Sequence, residues 1–398
     1  MRLVLEAVRL EGLDTRPRIA AGTGLSRAVV GQRVQQLIAG GLLAESETGV
    51  STGGRPPRAL RIPRSAGHVL AVDLGATGVE VAAVTLTGTI IQQQAATADV
   101  GDGPEATLSR VEELLDALVA GLGPGDGPVR ALGIGLPGPV QFETGRPVWP
   151  PIMPGWHDYP VRERLEDRFG VPVWVDNDVN IMAMGEWRAG AARGVDDVVW
   201  VKIGSGIGAG LITGGAIHRG AQGAAGDVGH IQVVEDGVIC RCGNAGCLEA
   251  LAGGAAIGRD AQVAAHAGRS AFLAECLAAH TEISARTVAI GAQRGDAVCV
   301  ELLQRSGRLV GHMLATVVNL FNPSLVVLGG SVAHSGALYL ATIRESVYRR
   351  SLPLATGQLG IVTTALGDRA GVTGAAAMAT DELLSQDWIR RLLLDRIQ

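Results

Sequence analysis

The chain has 398 residues, of which 47% are hydrophobic and 3% aromatic, and its net charge is −5. The scarcity of aromatic residues argues against a stacking platform for single-stranded nucleic acid, and no apolar run is long enough to span a bilayer. We therefore expect a cytoplasmic protein of two or three domains with no membrane partner. Residues 1–68 carry ten arginines against five acidic residues, whereas residues 69–398 have a net charge of −10. A basic head on an acidic body favours contact with a polyanion.

The first 45 residues have the pattern of a helix-turn-helix. A first helix is predicted by apolar residues at helical spacing, namely Leu3, Val4, Ala7, Val8 and Leu10. A second short helix is expected over residues 16–21, followed by a glycine-bearing turn. Ser26 is a favourable N-cap for a third helix. Its apolar stripe is Val30, Val34, Leu37 and Ile38. The candidate DNA contacts near its N-terminal half are Ser26, Arg27, Gln32 and Arg33, which suit a major groove.

A wing is predicted after the third helix. Residues 42–45 read as a strand, 46–58 as a winged loop and 59–62 as the returning strand. Within the loop, Gly54-Arg55-Pro56 resembles the core of an AT-hook, in which Arg55 would enter a narrow minor groove; a proline-rich linker is the alternative. For the whole head the alternative is a small helical protein-docking module. Affinity for duplex DNA that falls with rising salt would separate these two interpretations.

The body contains two copies of a glycine-turned β-hairpin. Residues 69–91 alternate strands and turns around Gly75, and residues 198–217 repeat the scheme around Gly204. Such turns offer backbone N–H groups to phosphates. Neither copy has the Gly-x-Gly-x-x-Gly pattern of a Rossmann dinucleotide site. The duplication is typical of an actin-like or hexokinase-like α/β body with two lobes. A later buried strand enters Gly329-Gly330, a candidate nucleotide or hinge contact.

Polar residues follow a buried strand between the two copies. Asp176, Asn177, Asp178 and Asn180 come at its end, where ligands bind in α/β proteins. An aspartate there can accept a proton from a sugar hydroxyl, and an asparagine can hydrogen-bond a neighbouring one. The alternative is that the cluster caps a helix, but a cap needs only one of these four polar residues.

Three of the five cysteines lie within eight residues. Cys240, Cys242 and Cys247 follow His230, and together they supply the four ligands of a closed structural zinc site. A disulfide or a chance cluster of buried thiols is the alternative. Cys240 and Cys242 are too close in sequence to pair comfortably, and no signal peptide indicates an oxidising compartment. We therefore predict structural Zn²⁺ here.

Five motifs occur in order between residues 136 and 249, and the resemblance that they carry covers residues 66 to about 380: Leu-Pro-Gly-Pro, Asp-Asn-Asp-Val-Asn, Gly-Ser-Gly-Ile-Gly-Ala-Gly, Gly-Asp-Val-Gly-His and Cys-x-Cys-x4-Cys-Leu-Glu. With them the chain resembles the ROK family of repressors, open reading frames and sugar kinases. The head makes it similar to the transcriptional-regulator branch, in particular to actinobacterial regulators. The resemblance implies a sugar site formed by Asn177, Asp178, Asp227, His230 and Glu249. It also implies that Asp178 is the kinase base and that His230 serves both zinc and sugar.

The sequence departs from the family in two places. Asp227 stands where the family has glutamate, which shortens the reach to a sugar hydroxyl. Ala76 stands in the first phosphate loop where the kinases have glycine. The nucleotide site therefore looks partly eroded. Its candidate residues are Asp73, Gly75, Thr77, Gly204, Ser205, Gly206, Gly329 and Gly330.

Two functions follow as hypotheses. The first is a DNA-binding transcriptional regulator, expected to repress, whose body senses a sugar or sugar phosphate. The second is an ATP-dependent sugar kinase with an accessory head, and only this one needs ATP and Mg²⁺. We expect a winged helix-turn-helix at 1–64, a first lobe at 66–185 with a return segment at about 371–398, and a second lobe at 186–370. A homodimer or homotetramer on an operator duplex is expected from the family and from operator symmetry.

Overall fold

The computed structural model describes residues 1–46, 58–385 and 389. The head is a three-helix unit with a two-stranded antiparallel sheet. Its elements are α1 (Arg2–Arg9), α2 (Arg16–Thr23), α3 (Arg27–Ala39), β1 (Ala44–Ser46) and β2 (Ala59–Arg61). Ser26 caps α3 as predicted, because its Oγ accepts a hydrogen bond of 3.3 Å from the N–H of Val29.

Two details of the head differ from the sequence prediction. The buried face of α1 includes Leu5, whereas Leu3 and Leu10 are exposed, because the helix turns a different stripe toward α2 and α3. The first strand begins at Ala44, since Leu42 and Leu43 belong to the buried loop before it. The predicted winged loop lies mostly outside the described residues, and so does Arg55.

The first body sheet has five strands in the order β5-β4-β3-β6-β9, with the two glycine-turned pairs antiparallel and the last two pairs parallel. A two-stranded hairpin, β7-β8, stands beside it. The strands are β3 (His68–Leu74), β4 (Gly78–Thr85), β5 (Ile90–Thr97), β6 (Val129–Leu136), β7 (Val140–Gln141), β8 (Arg146–Pro147) and β9 (Val173–Asn177). The helices are α4 (Pro104–Ala120), α5 (Val161–Phe169) and α6 (Asp178–Ala189).

The second body sheet repeats the same topology in the order β12-β11-β10-β13-β14. Its strands are β10 (Val198–Ile203), β11 (Ile207–Thr213), β12 (Ala216–Ile217), β13 (Leu325–Gly329) and β14 (Gly360–Thr363). Its helices are α7 (Leu248–Ala252), α8 (Gly254–His266), α9 (Ala271–Ala278), α10 (Ala285–Gln293), α11 (Ala297–Phe321), α12 (Ala337–Arg350) and α13 (Pro353–Thr356). The matching strand orders confirm the duplicated, two-lobed α/β body predicted from the paired hairpins.

The chain then returns to the first sheet as α14 (Ala370–Leu383), which packs on β3, β6 and α6. This packing is close because small residues face each other. A Cβ on Gly185 would lie 2.1 Å from the carbonyl oxygen of Ala370, and one on Gly374 would lie 1.6 Å from that of Ile181. No helix of the described residues is long and apolar enough to cross a membrane.

Candidate functional site

The predicted polar cluster lies where β9 ends and α6 begins. Asn177 is the N-cap of α6: its Oδ1 accepts a 2.9 Å hydrogen bond from the N–H of Val179, and its Nδ2 donates to the carbonyl of Gly138 at 2.9 Å. It therefore fastens the Leu-Pro-Gly-Pro turn to the start of the helix. Because α6 begins at Asp178, both Asp178 and Asn180 lie in its first turn.

Asp178 is paired with the only lysine of the chain. The Nζ of Lys202, on β10, lies 2.6 Å from Oδ2 of Asp178, and the Asp178 side chain is only 5% exposed. Burial lowers the pKa of Lys202, but the carboxylates of Asp178 and Asp73 outweigh it and raise that pKa above its usual range. Lys202 is therefore charged, and its ammonium occupies one oxygen of the candidate base. Lys202 was not among the site residues predicted from the sequence, although a chain with a single lysine could have drawn attention to that position.

Asp73 lies at the end of β3, beneath the start of α14. Burial raises its pKa to about 7, although the nearby Lys202 ammonium opposes the shift. Its Oδ1 has no hydrogen-bond partner among the described residues. A Cβ on Gly371 would lie 1.9 Å from its Oδ2, so only glycine fits at that position of α14. The carboxyl group thus lies in a closed environment beside the Lys202–Asp178 pair.

A second cation, Arg219, reaches the same corner from the loop after β12. Its Nε lies 2.8 Å from Oδ2 of Asp176, and its guanidinium lies 3.7 Å from the ring centroid of Phe142. Asp176 also accepts a 2.8 Å hydrogen bond from Nδ2 of Asn180. Arg219, likewise missed from the sequence, therefore ties the second sheet's side of the molecule to the β9–α6 corner.

Asp227, His230 and Glu249 lie along the start of β11. The backbone of Gly226 accepts a hydrogen bond from the N–H of Ala209, and Oε2 of Glu249 accepts one of 3.0 Å from the N–H of Ile207. Gly208 and Gly210 of the same strand pack against α6, because a Cβ on either would lie within 3 Å of α6 side-chain or backbone atoms. β11 therefore contacts both Glu249 and α6, the helix that begins at Asp178.

The predicted metal ligands come together. One ligand atom from each of His230, Cys240, Cys242 and Cys247 lies within 4.8 Å of the others. The Nδ1 of His230 is 3.6 Å from Sγ of Cys240, and the sulfurs of Cys242 and Cys247 are 3.7 Å apart. That separation matches the roughly 3.8 Å between two thiolates on one tetrahedral zinc, and it is far from a disulfide bond length of about 2.05 Å.

This arrangement also orients the histidine. Because Nδ1 faces the sulfurs, the opposite ring nitrogen, Nε2, points toward Oδ1 of Asp227 at 4.0 Å. One imidazole can thus be a metal ligand on one side and a hydrogen-bonding group on the other. Asp227 is half exposed, so it remains available to a ligand.

The two glycine loops form as tight turns. In the second, the N–H of Gly204 donates to the carbonyl of Gly206, and Ser205 follows the end of β10. Gly330 lies against β10, since a Cβ there would be 2.6 Å from the carbonyl of Ile203, and Gly329 lies against the Trp200 ring. In the first loop, Gly75 donates to the carbonyl of Gly78. Thr77 instead lines a separate cavity of about 370 Å³ with Asp99 and Arg110, which none of the other candidate nucleotide residues lines.

Four of the candidate DNA contacts lie at the cap and the N-terminal half of α3. Ser26, Arg27 and Gln32 are exposed on the N-terminal half of α3, while Arg33 is half-buried beside Gln36. The apolar stripe opposite is buried against α1 and α2. This is the geometry of a helix-turn-helix whose second helix is free to enter a groove.

The two body sheets with equal topology define an actin-like fold. The ROK family model matches residues 69–382, and the chain belongs to the ROK family. A solved ROK family transcriptional regulator, described as a homologue of the E. coli MLC protein, is similar to this chain with a TM-score of 0.83 and 27% identity, over 99% of this chain and 98% of that one.

The extent of the matches differs between two kinds of relative. The xylose repressor of Caldicellulosiruptor bescii is 30% identical over 96% of both chains. The glucokinase of Streptomyces coelicolor is 32% identical, but over 79% of this chain and 98% of its own. A solved ROK glucokinase from Streptomyces griseus, in complex with glucose and AMPPNP, has a TM-score of 0.68 and 32% identity over 79% of this chain and all of that one. The head is therefore shared with the regulators.

Proposed function

We propose that this protein is a DNA-binding transcriptional repressor whose ROK body binds a sugar or sugar phosphate as its effector. The observation that carries the proposal is a capped helix-turn-helix joined to a ROK body in one chain, which full-length repressor relatives share and glucokinases do not. The expected organisation is a DNA-binding domain at 1–64, a first lobe at 66–185 with the return segment, and a second lobe at 186–370.

Binding of DNA is tested with the full-length chain. Fluorescence anisotropy with fragments of its own promoter region should show a preference over random duplex. Arg27→Ala and Gln32→Ala should each weaken that binding about tenfold, because a base contact contributes roughly 1–3 kcal/mol. The control is Arg349→Ala, which removes an exposed arginine of α12. Equal affinity for promoter and random DNA would refute the proposal.

The effector is proposed to bind among Asn177, Asp178, Asp227, His230 and Glu249. Glu249 contacts the start of β11, and Oδ1 of Asp227 lies 4.0 Å from Nε2 of His230. Together the five residues offer carboxylate, amide and imidazole groups to hydroxyls. The named relatives act with xylose or glucose, so pentoses, hexoses and their phosphates form the first panel. A ligand that binds only the folded state raises the melting temperature. Such a ligand should also lower promoter affinity, and Glu249→Gln should abolish both effects.

We further propose that His230, Cys240, Cys242 and Cys247 hold a structural Zn²⁺ whose role is to fix His230 and the loop that carries Glu249. The closed set of four ligands leaves no open position for a reacting water. A homodimer or homotetramer is proposed because a two-fold operator needs two heads. Light scattering of the purified chain measures its oligomeric state, and a monomer at micromolar concentration would contradict the proposed dimer or tetramer.

A sugar kinase is the second candidate, favoured by the retained Asp178 and the Gly204–Gly206 loop. In that case Asp178 would take the proton of the sugar hydroxyl, with ATP and Mg²⁺ as cofactors. The Lys202–Asp178 pair opposes this function, because the half-buried Lys202 ammonium already occupies one oxygen of the candidate base. An ADP-release assay across the sugar panel, with Asp178→Asn as the control, tests whether the protein is a kinase. Turnover above that of the variant would establish the kinase.

A further inference from the structure

A cavity of about 410 Å³ lies where the head meets the body. It is bounded by the end of α1, the β4–β5 turn, the end of α6 and one face of α14. Three arginines line it, one from the head and two from the body: Arg9, Arg188 and Arg193. Thr373 and Thr380 of α14 also line it. None of these residues belongs to the site around β11.

Two of the arginines are held by a single carboxylate. Asp381 of α14 pairs through one oxygen with Arg9 and through the other with Arg188. Glu6, which also faces Arg188, is already paired with Arg2. Because the three guanidinium groups have only the carboxylate of Asp381 to balance them, the cavity carries an excess of positive charge.

Each of these two arginines keeps a donor without a partner. The Nε atoms of Arg9 and Arg188 are buried and have no hydrogen-bond partner in the part of the chain that the structure describes. The Arg9 side chain is only 5% exposed. Leaving a buried guanidinium N–H without a partner costs free energy, because the group has lost its hydrogen bonds to water. An anion in the cavity would remove that cost for both residues.

From this geometry we infer that the junction cavity is a binding site for a small phosphate monoester. A phosphate oxygen accepts from guanidinium groups in the fork geometry that arginine provides, and Arg193, which is exposed, supplies a third donor at the opening. The cavity is larger than a phosphate group alone and falls within the size range of small-molecule sites. Its occupant would contact both the head, through Arg9, and the body, through Arg188.

The test uses the full-length chain without DNA. Inorganic phosphate and glycerol phosphate should raise the melting temperature by a few degrees at about 10 mM, whereas sodium chloride of equal ionic strength should not. Isothermal titration gives the affinity of each anion. A shift that chloride reproduces would overturn the proposal.

Two variants locate the binding. Ala377→Met fills the cavity from α14 and should abolish the phosphate shift. Arg193→Gln, at an exposed position, should weaken binding at least fivefold without changing the melting temperature in chloride. Arg193→Gln keeps the test valid if Ala377→Met does not fold. Binding unchanged in every folded variant would refute the site. Displacement of phosphate by a random duplex would instead assign the cavity to the DNA backbone and reject the small ligand.

Discussion

The Lys202–Asp178 pair is the residue-scale feature with the largest energetic consequence. Lys202→Met leaves a buried carboxylate uncompensated, so we expect it to lower the free energy of unfolding by about 3–5 kcal/mol. The double variant Lys202→Met/Asp178→Asn removes both charges and should recover much of that loss. Urea unfolding at pH 7 measures all three proteins. Losses that simply add, with no recovery in the double variant, would show that the pair is not coupled.

Asp73 makes stability depend on pH. An unfolded Asp73 ionises near its ordinary value of 3.8, whereas the folded group ionises near pH 7 because of burial. Between these values the folded state holds the extra proton, so its stability falls as pH rises, and the loss is complete above about pH 7.

Asp73→Asn removes this titration. Its free energy of unfolding, relative to the original chain, should therefore grow from pH 4 to pH 7 and reach on the order of 2–4 kcal/mol, since one pKa unit corresponds to about 1.4 kcal/mol. Chemical denaturation at several pH values measures it. A difference that stays constant across this range would contradict the assignment.

At the scale of elements, two glycines in helices should respond oppositely to alanine. Gly374→Ala on α14 places a Cβ 1.6 Å from a backbone oxygen of α6, so we expect a loss of about 3 kcal/mol or more. Gly31→Ala on α3 meets no atom within 4 Å and should gain about 0.5–1 kcal/mol from helix propensity. Thermal unfolding compares them. A stable Gly374→Ala protein would mean that α6 and α14 pack less closely than described.

The elements were predictable where the signal is local. The Ser26 cap, the paired glycine-turned hairpins and the closely spaced cysteines each depend on residues near one another in sequence. The contacts of Lys202 with Asp178 and of Arg219 with Asp176 depend instead on how β10 and the loop after β12 approach the β9–α6 corner. No periodicity or spacing contains that information, because either cation could equally have faced solvent. The junction cavity could not be predicted for the same reason, because its lining residues are scattered along the sequence from Arg9 to Thr380.

At the scale of the whole molecule, metal and effector should be linked. Cys242→Ser should lose bound zinc and, with it, most of the sugar-dependent rise in melting temperature, because His230 and Glu249 border the same loop. Atomic emission measures the metal, and the sugar panel measures the response. The matched control is Cys276→Ser, a half-buried cysteine outside the cluster. A full sugar response in metal-free protein would separate the two sites.

The close packing of α6 on α14 has a consequence for how the head senses the body. α6 is 12 residues long, or about 18 Å, with Asp178 at its first turn and Arg188 at its last. Because its backbone meets that of α14 at two glycines, neither helix can slide past the other without a steric clash. We therefore expect a displacement of α6 at its Asp178 end to move α14 with it, and the Asp381–Arg9 pair links α14 to the head. Along this path the contact with the head, through Asp381 and Arg9, lies at the end of α6 opposite to Asp178.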